Sequence, residues 1–446
     1  MAKKDAAKYV CNQCGAASGT WSGRCHACGE WNSVEERIVI NDDRLQKGQP
    51  LKSTRLKDTL KTDNPRLVSD MSEVDTVLGG GLVRGSVTLI AGQPGIGKST
   101  LLMQVSHAIS KNARVLYVSG EESGHQVGMR AKRLGMHQDT LLITTSTSAD
   151  DVSATIMSGD YDLVVVDSIQ TMTVDGVTSA AGSASQITNS THVLSAAAKH
   201  VNTALLLVGH VTKEGSIAGP KLLEHVVDVV LQLEGDRYGG FKVLRAIKNR
   251  YGSTTEAGIF EMTETGMHPV DNPSAALLAE RQVTDGSIVL ATLEGTRPLL
   301  VEVQALVNKT SYGYPKRAAS GVDLNRINLL VAMLERRTKL QLADQDIYVN
   351  IVGGIKLVEP AADLAIVMAI ASASRGFQLK QNAVVFGEVG LSGEVRHVPF
   401  IDKRIAEAKK LGFNEFIGPH AKGKQVKGYH VVYDAKEALN KYLSKE

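Results

Sequence analysis

The chain has four cysteines, Cys11, Cys14, Cys25 and Cys28, all within the first 28 of its 446 residues. They form two Cys-x2-Cys pairs separated by ten residues. Each pair sets two thiolates on one tight turn, and two such turns can close a tetrahedral four-cysteine site for zinc, Zn2+. Four protein ligands leave no open position, so the expected ion is structural. Gly15 and Gly29, each directly after the second cysteine of a pair, suit the left-handed backbone such turns need. A redox Cys-x2-Cys would instead be a single pair in a strand–helix–strand setting. Trp21 and Trp31 lie in the same segment; they either contact DNA or a partner, or form the core of a module too small to have another.

A second constellation is Gly92-Gln93-Pro94-Gly95-Ile96-Gly97-Lys98-Ser99, which satisfies G-x-x-x-x-G-K-[ST] in full and continues into Thr100. It follows the apolar run Val87–Ile90 and opens a helical pattern, the strand–loop–helix setting the motif requires. Glycines let backbone N–H groups close around phosphates at a helix N-terminus. Gly92 to Thr100 are therefore the expected ATP cradle, with Lys98 reaching the β- and γ-phosphates and Ser99 binding Mg2+. Leu163–Asp167 is an apolar strand ending in a carboxylate, placing Asp167 at the same Mg2+ through water. Glu121, or else its neighbour Glu122, follows the strand Val115–Val118 and is the expected base that activates water. His210 ends another apolar run, where a side chain can sense the γ-phosphate.

These groups need a sheet to hold them. From about 66 to 270, the runs Ser86–Ile90, Arg114–Val118, Asp162–Val166 and Ala204–Val208 alternate with helical patterns, which implies βαβ units and a parallel sheet covered on both faces. Residues 38–65 are polar and read as a linker between this domain and the cysteine module at 1–37. Beyond Pro269 and Pro273 the character changes, and residues 271–446 read as a separate α+β domain. Ser287–Leu293 and Leu299–Leu306 form paired strands around Glu294–Pro298. A helix over Leu324–Leu340, a strand over Ile347–Val352 and an Ala-rich helix over 361–373 follow. That last stretch contains Asp363 and is too short to span a bilayer. The N-terminus has no apolar core of a secretory signal, and the cysteine distribution suits a reducing, cytoplasmic setting. A net charge of +3 and an aromatic share of 4% exclude both a strongly basic whole-molecule field and an array of base-stacking platforms.

The order of these parts resembles the RecA-like ATPases. Ser72-x-x-Asp75-x-x-Leu78-Gly79-Gly80-Gly81-Leu82-x-x-Gly85 looks like their entry segment. Lys248-Asn249-Arg250-Tyr251-Gly252, the four-cysteine module and a C-terminal domain similar to the Lon peptidase resemble the bacterial RadA (Sms) family over essentially the whole chain. The resemblance implies an α/β RecA-like P-loop core between a small zinc ribbon or knuckle and a Lon-like α+β domain. It also implies a homo-oligomeric ring, a hexamer, whose DNA-stimulated ATPase works as a translocase or helicase. Such a motor extends or branch-migrates recombination intermediates on single-stranded and branched DNA beside the RecA recombinase. Lys248 and Arg250 are then expected to reach a neighbour's γ-phosphate, as arginine fingers do. The loops Gln170–Thr191 and Lys213–Lys221 are expected to face DNA. The first has no basic residue, so Lys213 and Lys221 are the expected phosphate contacts.

Glu359-Pro360-Ala361-Ala362-Asp363, followed by Gly387-Glu-Val-Gly-Leu-Ser-Gly-Glu394, resembles the Lon proteolytic fold. Lon uses a serine activated by a lysine of lowered pKa; here Ala361 stands where the serine belongs, and the lysine position falls at Lys403 or Arg404. The domain is therefore expected to lack peptidase activity. Lys309, Lys316, Arg317, Arg326, Arg336, Arg337 and Lys339 concentrate positive charge, tempered by Asp323 and Glu335. They either form a phosphate-binding stripe, with Arg317 and Arg326 as contacts, or belong to a domain that assembles the ring. Competing readings of the whole chain are a self-phosphorylating regulatory ring resembling the circadian KaiC group, an ATP-dependent peptidase, and a scaffold. The single P-loop with a zinc module, Ala361, and the intact Lys98, Ser99, Asp167 and Glu121 set stand against them in turn.

Overall fold

The computed structural model describes residues 8–11, 13–14, 16–37, 53, 55–59, 65–136, 140–210, 223–235, 240–311, 313–421 and 426–445. The chain divides into two units, Met1–Asp63 and Asn64–Glu446.

In the first unit, β1 (Lys8–Cys11) lies between β2 (Ala17–Ser18) and β3 (Val34–Arg37), antiparallel to both. Among the described residues its buried apolar side chains are Cys11, Cys25 and Val34, with Tyr9 and Ala16 against them. So small a core needs a cross-link to persist. The two tryptophans do not supply it: Trp21 is 64% exposed and Trp31 68%. Thiols are already the apolar centre of the module, and the indoles are left on its outside.

The second unit begins with a nine-stranded sheet. Its strands are β4 (Val87–Gly92), β5 (Val115–Ser119), β6 (Leu141–Thr145), β7 (Leu163–Asp167), β8 (Ala204–His210), β9 (Val229–Gly235), β10 (Phe241–Asn249), β11 (Ala257–Thr263) and β12 (Gly266–Pro269), in the order β12-β11-β10-β9-β4-β8-β7-β5-β6. From β9 to β6 every pairing is parallel. Strands β4, β5 and β7 are buried along their whole length, which is why they read as unbroken apolar runs rather than alternating ones. Helices Lys98–Ser110 and Gly124–Arg133 contribute to the core on one face. Ala149–Met157 and Ala184–Val201 contribute to the other. The sheet departs from an all-parallel one at its end, where β10, β11 and β12 continue antiparallel from β9. Hairpin connections make that possible without crossover helices.

The C-terminal part holds a seven-stranded mixed sheet. It contains β13 (Ser287–Glu294), β14 (Arg297–Lys309), β15 (Arg317–Ser320), β16 (Gln345–Ile351), β17 (Gln378–Leu379), which pairs outside the sheet, and β18 (Ala383–Val385). After β19 (Glu388–Val389) and β20 (Val395–Arg396), a separate pair, come β21 (Glu415–Gly418) and β22 (Tyr429–Val431); the sheet order is β15-β16-β14-β13-β18-β21-β22. Helices Leu324–Thr338 and Asp363–Arg375 pack on it; the second is buried along most of its length, which explains its Ala-rich composition. The β13–β14 turn, Gly295-Thr296, docks on the ATPase sheet. Thr296 N–H donates to Thr255 O (2.6 Å), and Arg297 and Arg245 pair with Glu73 (2.6 Å) and Glu294 (2.5 Å) across the junction. Gly295 has φ +63°, and a Cβ there would stand 1.8 Å from Thr255 O.

Candidate active site

The loop Gly92–Gly97 leaves the carboxyl end of β4, and the helix starting at Lys98 receives it with Gly97 left-handed at φ 110°. Gln93, Pro94 and Gly95 are exposed while Ile96, Lys98 and Thr100 are buried and Ser99 half-buried, so the loop's crest faces outward from an anchored base. Lys98 Nζ donates to Gly92 O (2.9 Å) and Gln93 O (3.0 Å). Burial pushes its pKa down to about 8, against the pull of the Asp167 and Glu121 carboxylates.

Three neighbouring strands deliver the remaining groups to the same edge, where ligands of open α/β sheets bind. Gly92 is in register with His210 at the end of β8, and Asp167 with Ser119 on β5. Asp167 is buried and accepts a hydrogen bond from the Tyr117 hydroxyl (2.5 Å); the peptide bond to Ser168 is cis. Glu121 accepts from the Ser168 hydroxyl and lies 3.1 Å from His210 Nε2. His210 Nδ1 is in turn 3.0 Å from Lys98 Nζ. A neutral ring protonated on Nε2 satisfies both contacts, donating to Glu121 and accepting from Lys98. Burial opposes ionisation of Glu121, but the Ser168 and His210 hydrogen bonds and the Lys98 charge outweigh it and hold its pKa below the usual carboxylate range. Glu122 turns away into an ion pair with Arg130 and donates its backbone N–H to Ser119 Oγ (3.0 Å). Ser168 and Tyr117 were not anticipated from the sequence. Ser168 directly follows the strand-ending aspartate, a positional cue; Tyr117 reads as one more apolar strand residue.

Lys248 and Arg250 are elsewhere. The β9 and β10 registers place Lys248 opposite Val230, and Arg250 N–H donates to Asp228 O (3.3 Å), beyond the start of β9. The Asp228 backbone N–H donates to Val87 O (2.9 Å), so Arg250 stands level with the first residue of β4, whereas the phosphate loop begins at its last. At about 3.3 Å per residue that is roughly 16 Å along the sheet, further than an arginine side chain reaches. The entry segment packs here: Asn249 Nδ2 donates to Val77 O (3.3 Å), and Arg66 bridges Leu78 O (3.1 Å) and Tyr251 O (2.8 Å).

In the cysteine module, the Sγ atoms of Cys11, Cys14, Cys25 and Cys28 lie within 4.8 Å of one another. The Cys11–Cys28 and Cys14–Cys25 sulfurs are 3.7 and 3.6 Å apart. Four sulfurs at about 2.3 Å from a zinc ion stand about 3.8 Å apart in a tetrahedron, so the set fits Zn2+ and is far too open for disulfides. Gly29 is left-handed, with φ 79°; Gly15 lies outside the described residues.

Of the expected DNA contacts, Lys213 and Lys221 also lie outside the described residues. Arg317, half-buried on β15, is 3.5 Å from Asn328 Oδ1. Arg326 departs from the expectation: both ends of its guanidinium are taken by the buried Asp363 carboxylate, Nε at 2.9 Å, with a further contact to Val389 O (3.3 Å). A bidentate pair of this kind leaves little of the fork for a phosphate. Ala361, at the position the Lon resemblance assigns to a serine, is buried. Lys403 points out over Phe400, and Arg404 turns in, fully buried, donating to Glu359 (2.8 and 2.7 Å) and Ala291 O (2.7 Å).

A phosphate loop at the carboxyl edge of a parallel sheet, flanked by strand-ending acids, defines the core as a RecA-like P-loop ATPase, carried between a zinc ribbon and a Lon-like domain. Domain families agree: residues 9–36 match the rubredoxin metal binding domain, 50–216 the AAA domain, and 325–422 subunit ChlI of Mg-chelatase. The chain is 47% identical to the DNA repair protein RadA of Halalkalibacterium halodurans, covering 94% of this chain and 93% of that one. It is 44% identical to RadA of Escherichia coli, over 98% of each, and 43% identical to that of Aquifex aeolicus, over 96% of each. The chain belongs to the family of the DNA repair protein RadA. Among the described residues, no helix is long and apolar enough to cross a membrane.

Proposed function

We propose that this chain is a DNA-dependent ATPase that acts as a motor, a translocase or helicase, on single-stranded and branched DNA during recombination and repair. In this reading Gly92 to Thr100 hold ATP, and Ser99 and Asp167 hold Mg2+, which neutralises charge on the phosphates. Glu121 takes a proton from the attacking water. Its depressed pKa keeps it ionised, and Ser168 and His210 fix its orientation. His210, touching both Glu121 and Lys98, is suited to report the state of the phosphate to the base.

The observation that carries the proposal is the distance between the two halves of the chemistry. Glu121, Lys98 and Asp167 share one edge of the sheet, and Lys248 and Arg250 sit at the opposite one. Those cations can serve a transition state only in another subunit, which supports a closed ring of identical chains, a hexamer by family, in which each site is shared. The RecA recombinase as a partner rests on the family alone. Lys213, Lys221 and Arg317 remain the proposed phosphate contacts. The peptidase reading is weakened twice: Ala361 offers no nucleophile, and Arg404, a guanidinium with both its terminal nitrogens bonded to Glu359, offers no free lone pair to act as the base that a lysine supplies.

The deciding experiment is ATP turnover without DNA, with single-stranded DNA and with duplex. The proposal expects stimulation by DNA, strongest with single strands. Turnover indifferent to every DNA tested would refute it.

A further inference from the structure

The turn that precedes β9, Leu223 to Asp228, is pinned into the sheet's core by Leu223 and Val227, 1% and 0% exposed. It makes a cradle for both distal cations. Lys248 Nζ donates to Glu224 O (2.5 Å) and Val227 O (2.8 Å). Arg250 is clamped twice by one residue: its N–H donates to Asp228 O (3.3 Å) and its Nη1 to Asp228 Oδ1 (3.0 Å). The other carboxylate oxygen, Oδ2, accepts the N–H of Val87 (3.1 Å), the first residue of the strand that leads to the phosphate loop. Lys199, at the end of the helix Ala184–Val201, donates to the same carboxylate (3.2 Å). The Asp228 side chain is 2% exposed, whereas that of Arg250 is 55% exposed.

A buried, ionised carboxylate requires compensation, and here a strand N–H and two cations provide it. One end of Asp228 is fixed in the core and the other aims a half-exposed guanidinium outward. A finger that must meet a phosphate held by a different subunit has to be ordered before the encounter. A free arginine side chain samples many rotamers, and misplacement by about 1 Å can cost on the order of a hundredfold in rate. We infer that Asp228 is a positioning residue: it holds Arg250 in the orientation from which it serves the neighbouring subunit's γ-phosphate. This inference rests on the proposed role of Arg250 in trans.

The test is steady-state ATPase of the full-length chain, with nucleotide affinity read separately by a fluorescent ATP analogue. Asp228→Asn keeps the volume and the acceptor for Val87 N–H but removes the charge that aims Arg250. It is expected to lower kcat about tenfold to a hundredfold with KM for ATP and analogue affinity changed less than threefold. Asp228→Glu, which restores the charge, is expected to recover a good part of kcat. In an Arg250→Ala background, Asp228→Asn should cost nothing more. Lys199→Ala, which leaves the Arg250 contact in place, should keep at least half of kcat. If Asp228→Asn does not fold, Asp228→Glu carries the measurement, with kcat lowered severalfold at unchanged KM. An unchanged or raised kcat in Asp228→Asn, or in Asp228→Glu where it stands in for an Asp228→Asn that does not fold, would overturn the inference, as would equal losses in affinity and kcat or additive losses with Arg250→Ala. If Arg250→Ala itself leaves kcat intact, the reading of Arg250 fails instead, and the two failures are told apart.

Discussion

At the scale of single residues, the site is a chain of contacts, Ser168–Glu121–His210–Lys98, in which each group sets the state of the next. Glu121→Gln keeps the Ser168 and His210 contacts but removes the basic oxygen. It is expected to lower kcat by about 10²- to 10⁴-fold while ATP binding, measured by analogue titration, stays within a few-fold. Lys98 adds a pH signature. Its ammonium is intact below a pKa of about 8 and is lost above it, whereas the phosphate needs it charged. The Kd for ATP is therefore expected to begin rising as pH passes through about 8 and to approach tenfold per pH unit above it; a flat profile through pH 9 would contradict the burial argument. The motif residues were legible because their spacing is itself the chemistry. Ser168, Tyr117 and Asp228 were not, because each acts through a partner far away in sequence and obeys no spacing rule.

At the scale of elements, the strands near the phosphate loop were legible from unbroken apolar runs, since strands buried on both faces have no polar side to show, whereas their order in the sheet was not. The antiparallel extension β10 to β12 and the exposed edge strand β6 were missed because half-buried strands alternate weakly over few residues. The β13–β14 hairpin was legible as a hairpin, but its docking on the ATPase sheet was not. Gly295 carries that contact through a positive φ and a Cβ position filled by Thr255 O. Gly295→Ala is expected to cost about 1–3 kcal/mol, seen as a lowered midpoint in urea unfolding. The cysteine module makes a separate prediction. Among the described residues its apolar core is three buried side chains, so chelating the zinc should abolish amide protection across residues 8–37 in hydrogen exchange. Protection of the helix Lys98–Ser110 should remain. Loss of protection in both would show that the ribbon does not fold independently.

At the scale of the whole molecule, the sheet separates a cradle for phosphate from the cations suited to act on it, and that separation is the physical case for a shared site. The sequence placed the acids at the carboxyl edge of the sheet but not Lys248 and Arg250 at the other; the family resemblance supplied the roles, and the β9–β10 register supplied the distance. A chain whose P-loop and fingers cannot meet is expected to be a poor ATPase as a monomer and to gain turnover with concentration as rings assemble. The most direct test mixes two inactive variants, Lys98→Ala and Lys248→Ala. The first lacks a working P-loop but keeps its finger; the second has the reverse defect. In randomly mixed rings about a quarter of the interfaces pair an intact P-loop with an intact Lys248 from the next subunit. Activity should return in DNA-stimulated turnover and in the number of ATP molecules hydrolysed per ring in a single turnover. If single-turnover hydrolysis stays at zero across all mixing ratios while both variants still bind one another, the site is not shared and the account is wrong.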